Sequence, residues 1–141
     1  EISPDGRWLA YQSNESGNQI YVRPYPGVNS GRWQVSTMGG TQPLWARNGQ
    51  ELFYVAPDGA LMRVAVERGP SWRSGTPAKL FDNMYVWTMV GNSGRSYDIS
   101  ADGRRFLAIK PATQQTGAPN NLIVVQNWFE ELNRRVPAGT K

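Results

Sequence analysis

The sequence predicts an all-β fold of three antiparallel propeller blades, an incomplete propeller, followed by a short C-terminal helix. Three observations lead there. A turn rich in Ser, Asp, Asn and Gly, followed at once by an alternating aromatic and aliphatic strand, is written three times: SPDGRWLAY at Ser3 to Tyr11, ARNGQELFY at Ala46 to Tyr54 and SADGRRFLAI at Ser100 to Ile109. The copies lie 43 and 54 residues apart, which fits a unit of about forty residues carrying an insertion in its second interval. Each strand-like run is brief and is bounded by Gly, Pro, Asn or Ser.

Taken in order, the first blade covers residues 1–38. Its strands are RWLAYQS from Arg7, QIYVRPYP from Gln19 and the short RWQVS ending at Ser36, and only the stub EIS stands where an inner strand belongs. The second blade, residues 39–82, is the most complete. TQPLW from Thr41 forms its inner strand, followed by ELFYVA, the tight turn PDG, ALMRVAV and a last strand around AKLF. In strand periodicity Leu52, Tyr54 and Ala56 face one way while Glu51, Phe53 and Val55 face the other, so both surfaces carry apolar groups and need neighbours on both sides. Between Val66 and Leu80 the segment ERGPSWRSGTPAK is too polar and too rich in Gly and Pro for a central strand, and it reads as a surface loop.

The third blade, residues 83–128, opens within DNMYVWTMVGNSG, from Asp82 to Gly94, an inner strand or a long loop over the central channel. SYDIS, RRFLAIK and NLIVVQNW follow. Asn127 caps a short helix at 128–136, with Glu130 completing a capping box and Trp128, Phe129, Leu132 and Val136 on its apolar side. No outer strand follows the third blade.

Composition narrows the chemistry. The 141 residues begin on Glu1, and a piece of a longer protein is the expectation, with any signal or anchor outside it. Lys and Arg number 15 against 11 Asp and Glu, a net charge of +4, but the basic residues are spread about one per strand or turn, so a nucleic-acid partner is not expected. No apolar run reaches membrane-spanning length, and membrane insertion of this chain is not expected. With neither His nor Cys there are no disulfides, no thiolate or imidazole metal sites and no common nucleophilic triad; no metal and no cofactor are expected.

The Asp of each Asp-Gly pair, at Asp5, Asp58 and Asp102, is read as holding a turn backbone while Gly takes the positive φ. Asp98 differs, since it alternates with Tyr97 and Ile99 on a strand that would line the channel. Trp8, Trp33 and Trp45 belong to regular strands and are read as packing between blades, whereas Trp72 lies in the polar loop and is a candidate partner contact. The candidates for ligand or partner binding are therefore Trp72, Trp87, Tyr85, Asp98, Arg47 and Arg63, with no catalytic residue among them.

The segments SPDGRWLAYQSNESG, QIYVRPYP, GGTQPLWARNGQELFYV, DGALMRV, YDISADGRRFLAI and IVVQNWFEEL together resemble the carboxy-terminal part of TolB-like, WD-like bacterial propeller domains, including those attached to membrane-linked serine/threonine kinases. The resemblance covers nearly the whole chain. It implies a sensory, scaffolding or protein-binding module in the periplasm or otherwise outside the cytoplasmic membrane, and it brings no active site. The middle copy departs from the pattern, with Ala46, Arg47 and Asn48 where the other turns have Ser and Asp.

The expected function is thus a noncatalytic protein-interaction or sensory module whose partner is a protein or small ligand. The alternative is part of a propeller-containing hydrolase, peptide- or carbohydrate-processing, whose catalytic machinery lies elsewhere; no GxSxG segment is present. Three blades do not close a circle, so a homo-oligomer is expected, a dimer completing a six-bladed ring.

Overall fold

The alternation in the sequence becomes nine strands in the computed structural model, which describes residues 1–82 and 95–109. They are β1 (Trp8–Ser13), β2 (Gln19–Pro24), β3 (Trp33–Gln34), β4 (Thr41–Trp45), β5 (Glu51–Val55), β6 (Leu61–Ala65), β7 (Ala78–Phe81), β8 (Tyr97–Ile99) and β9 (Phe106–Ala108). They form three sheets, β1-β2-β3, β4-β5-β6-β7 and β8-β9, in which every sequence neighbour pairs antiparallel. The molecule is all-β among the described residues, which belong to one compact unit, Glu1–Pro111. The expected helix at 128–136 and the strand NLIVVQNW lie outside the described residues, as do Tyr85 and Trp87.

The stub EIS does pair. Ile2 bridges Leu9 antiparallel, Ser3 N–H donates to Trp8 O at 2.8 Å and Ala10 N–H to Glu1 O at 2.8 Å, so the first sheet gains a fragment of a fourth strand. The three Ser/Asx turns share one backbone. Gly6 N–H donates to Ser3 O, Gly49 N–H to Ala46 O and Gly103 N–H to Ser100 O, all at 2.8–2.9 Å, with φ of 69–71° at each glycine. In the left-handed region a side chain would crowd the following carbonyl, which is why glycine recurs there.

The side chains of these turns then divide. In the first, Ser3 Oγ–H donates to Asp5 Oδ1 at 2.6 Å, while Trp8 N–H donates to Ser3 Oγ at 2.9 Å and Arg7 N–H to Asp5 Oδ1 at 3.2 Å. Ser100 and Asp102 repeat the arrangement against Arg104 and Arg105. In the middle copy only Asn48 Oδ1 acts, accepting from Gln50 N–H at 2.9 Å, because Ala46 has no hydroxyl to contribute. The turn role read for Asp58 also holds, since its carboxylate accepts from Ala60 N–H at 3.0 Å.

Alternation along β5 sorts the core in two. Leu52 and Tyr54 join Trp8, Ala10, Ile20, Val22 and Val35 of the first sheet, together with Trp45, Val64 and Val66. Phe53 and Val55 join Leu44, Leu61, Tyr97 and Ile99, with Phe106 and Ala108 packed alongside. The middle sheet is therefore covered on both faces, as its pattern requires. Gly40 makes the first contact close: a Cβ there would lie 2.7 Å from the Tyr54 ring and 2.9 Å from Ile20 Cγ1.

Trp72 corrects the sequence reading. Expected in an exposed loop, it is 8% exposed, with its ring edge-to-face against Trp8 at 5.4 Å and Trp45 at 6.0 Å. Trp33 meets Trp8 in the same manner at 5.8 Å. The polar, Gly- and Pro-containing segment is a loop, but it turns its one large apolar side chain back into the seam between the first two sheets. Each edge-to-face pair adds about 0.5–1.5 kcal/mol beyond the burial of its rings.

The second seam is tied differently. The register of β4 slips between Thr41 and Leu44, and Gln42, ahead of Pro43, takes φ 57°. Side chains in that region are strained, and here neighbouring groups hold the conformation in place. Tyr97 O–H donates to Gln42 O at 2.8 Å, and Ser96 N–H and Oγ–H donate to Gln42 Oε1 at 2.8 and 3.0 Å. Burial pushes the Tyr97 phenol well above the ordinary tyrosine range, so the hydroxyl stays a donor.

Candidate functional site

At the inner edge of the stack, where the stub, β4 and β8 come together, a cleft of about 460 Å³ collects groups from all three sheets: Glu1, Trp45, Arg47, Arg95, Asp98 and Ile99 among them. Two of the candidates read from the sequence, Arg47 and Asp98, meet here. Burial of Tyr97 and Ile99 against the middle sheet leaves Asp98 turned outward between them, as period-two alternation dictates.

Arg95 is the hinge of the charge pattern. Its Nε donates to Tyr97 O at 2.9 Å, its Nη1 to Glu1 Oε2 at 3.2 Å, and its Nη2 lies 3.7 Å from Asp98 Oδ1. Trp45 fixes the other side of Glu1, with its backbone N–H donating to Glu1 Oε2 at 3.3 Å and its indole N–H to Glu1 O at 3.2 Å. Asp98 Oδ1 further accepts from Ile99 N–H at 2.9 Å. Two carboxylates thus share a cleft with a guanidinium standing between them, an arrangement that presents fixed charge instead of an open position flanked by two acids. Arg47, exposed on the middle turn, lines the cleft and forms no ion pair among the described residues.

The remaining candidates are elsewhere. Arg63 projects from β6, where its Nε is bonded to Glu51 Oε1 on the neighbouring strand, and it lines neither this cleft nor the groove beside it. Trp72 is enclosed in the first seam. Glu1 and Arg95 went unnoticed in the sequence because their partnership spans 94 positions; no local signal announces such a contact.

A second depression, of about 470 Å³, lies on the other side of Arg47, between the first and middle turns. Among the described residues no group of three or more His, Cys, Asp or Glu is placed to hold a metal ion, and no helix is long and apolar enough to cross a membrane. Comparisons with protein-family models, with curated proteins and with solved structures return no match.

Proposed function

We propose that the chain is a carboxy-terminal portion of a TolB-like, WD-like propeller, its three sheets serving as blades, and that it acts as a noncatalytic interaction or sensory module outside the cytoplasmic membrane. The observation that carries this reading is the inner-edge cleft, where residues from all three sheets converge on a fixed pattern of charge. Meander order within each sheet and face-to-face burial of the middle one are what stacked blades need. The extracytoplasmic location rests on the family resemblance alone.

Two copies would complete a six-bladed ring. Among the described residues, the face of the third sheet turned away from the middle one exposes Leu107 at 75% and Ile109 at 56%. That of the first carries Tyr11 stacked on Tyr21 at 5.9 Å, with the Arg32 guanidinium 3.8 Å over the Tyr21 ring. Apolar side chains on one end and an arginine–tyrosine surface on the other suit a head-to-tail contact that closes under two-fold symmetry.

The test of the contact site is a thermal-shift screen of short peptides and small polar ligands against the native chain and the Arg95→Ala and Asp98→Ala variants, with each hit recovered and weighed by mass spectrometry. A ligand at a hundred times its Kd should stabilise the native chain by about 2.7 kcal/mol. Hits are expected to lose that shift in both variants and to be recovered intact. Cleaved ligand would overturn the noncatalytic reading, and hits unaffected by either variant would remove the cleft from it.

A further inference from the structure

The groove between the first and middle turns brings together three of the described arginines. Arg7, Arg47 and Arg68 line it together with Asp5 and Glu67, above a floor that includes Trp8 and Val66. All three arginines are exposed, whereas Trp8 and Val66 are 8% and 6% exposed, so the groove is charged at its rim and apolar at its base. Neither Arg7 nor Arg47 forms an ion pair among the described residues, and Arg68 makes one long hydrogen bond, from Nη2 to Asn48 O at 3.5 Å.

Asp5 and Glu67 offset part of this charge and leave the arginines in excess. Asp5 Oδ1 accepts from Ser3 Oγ–H and Arg7 N–H, which fixes the position of its negative charge beside the turn. Arg7 lies beside the Trp8 ring, its guanidinium carbon 5.8 Å from the centroid. Guanidinium groups bind carboxylates through paired N–H donors, and a base of Trp8, Pro4 and Val66 accepts an aliphatic side chain. A polyanion is a poor fit, because its successive phosphates would meet Asp5 and Glu67.

We infer that this groove is a docking site for an acidic peptide segment, one that carries a carboxylate side chain next to an aliphatic residue. The inference rests on the reading of the chain as an interaction module, but it concerns a surface separate from the inner-edge cleft. Pro4 and Arg47 border both.

The test titrates the full chain, by calorimetry, with an acetylated and amidated peptide made of two Gly-Glu-Leu-Gly repeats, and with its Gly-Gln-Leu-Gly counterpart. The acidic peptide should bind about tenfold more tightly than the amide peptide, and Arg7→Ala with Arg68→Ala should remove about that factor, as expected for lost charge-assisted hydrogen bonds. Arg95→Ala should leave its affinity unchanged. Equal binding of the two peptides, absence of binding by the acidic one, or indifference to Arg7→Ala with Arg68→Ala would overturn the assignment. So would inorganic sulfate binding as tightly as the peptide, which would mark a site for a free anion. Loss of affinity in Arg95→Ala alone would move the peptide to the inner-edge cleft, overturning the groove while leaving the module reading intact. A failed screen at that cleft alongside groove binding would remove the cleft from the module reading and leave the groove assignment standing.

Discussion

The middle sheet and the outer sheets grow from the same repeated turn and strand, yet they end in different surroundings. Leu52, Phe53, Tyr54 and Val55 of the middle sheet are all 3% exposed or less, because a sheet lies against each face. The first sheet has one face in the core and meets water with the other, where Arg32 and Arg23 lie over the Tyr21 and Tyr11 rings. Tyr21 is brought to 7% exposure in this way by its own sheet's neighbours. Among the described residues the third sheet has no such cover over Leu107, which is 75% exposed. A strand pattern that is apolar on both faces therefore needs two partners, and a sheet at the end of a stack either shelters its rings under long cationic side chains or leaves apolar surface for another chain.

The contrast is broken most severely at the first seam. Trp72→Ala should cost about 3–5 kcal/mol, because it removes a large buried ring from between Trp8 and Trp45 and leaves a cavity. Chemical denaturation reads this directly; a loss below about 1 kcal/mol would mean that the insertion does not hold the two sheets together.

Smaller effects separate the turns. Ser3→Ala should cost about 1 kcal/mol, since it takes an acceptor from Trp8 N–H and a donor from Asp5, whereas the middle turn already lacks both interactions at Ala46. The hydrogen bond from Ser3 also holds the Asp5 carboxyl below its ordinary 3.8. A carboxyl whose folded pKa is depressed stabilises the fold fully above the unfolded value and loses that contribution as pH falls through the folded one. Native stability should accordingly decline below about pH 4. In Ser3→Ala the part of this decline due to Asp5 should shrink, which denaturation at pH 6 and pH 3 measures; because Asp5 is largely exposed, the change should be well under 1 kcal/mol.

Much of the architecture was legible in local pattern. Alternation in ELFYV separates Leu52 and Tyr54 from Phe53 and Val55, and the two sets do enter different cores. Asp-Gly and Asn-Gly pairs mark turns through side-chain acceptors and positive φ, both of which act within a few residues. What escaped depends on chain segments far apart. Trp72 sits in a sequence whose neighbours all favour solvent, and only the first sheet gives its ring a place to go. Gln42 precedes Pro43 in a run that reads as plain strand, but hydrogen bonds from Ser96 and Tyr97 hold it at φ 57°. Within the cleft, Arg47 and Asp98 were visible as isolated candidates, whereas the Glu1–Arg95 pair that organises it joins opposite ends of the described chain.

The claim that the end faces are completed by a second copy is tested most directly by sedimentation equilibrium of the native chain beside Leu107→Glu. The native protein should sediment at about twice its 15.8 kDa chain mass, and the variant at the mass of one chain, since a carboxylate in place of Leu107 would be buried unpaired at the contact. A native protein that stays at 15.8 kDa at micromolar concentrations would contradict ring closure by a second copy.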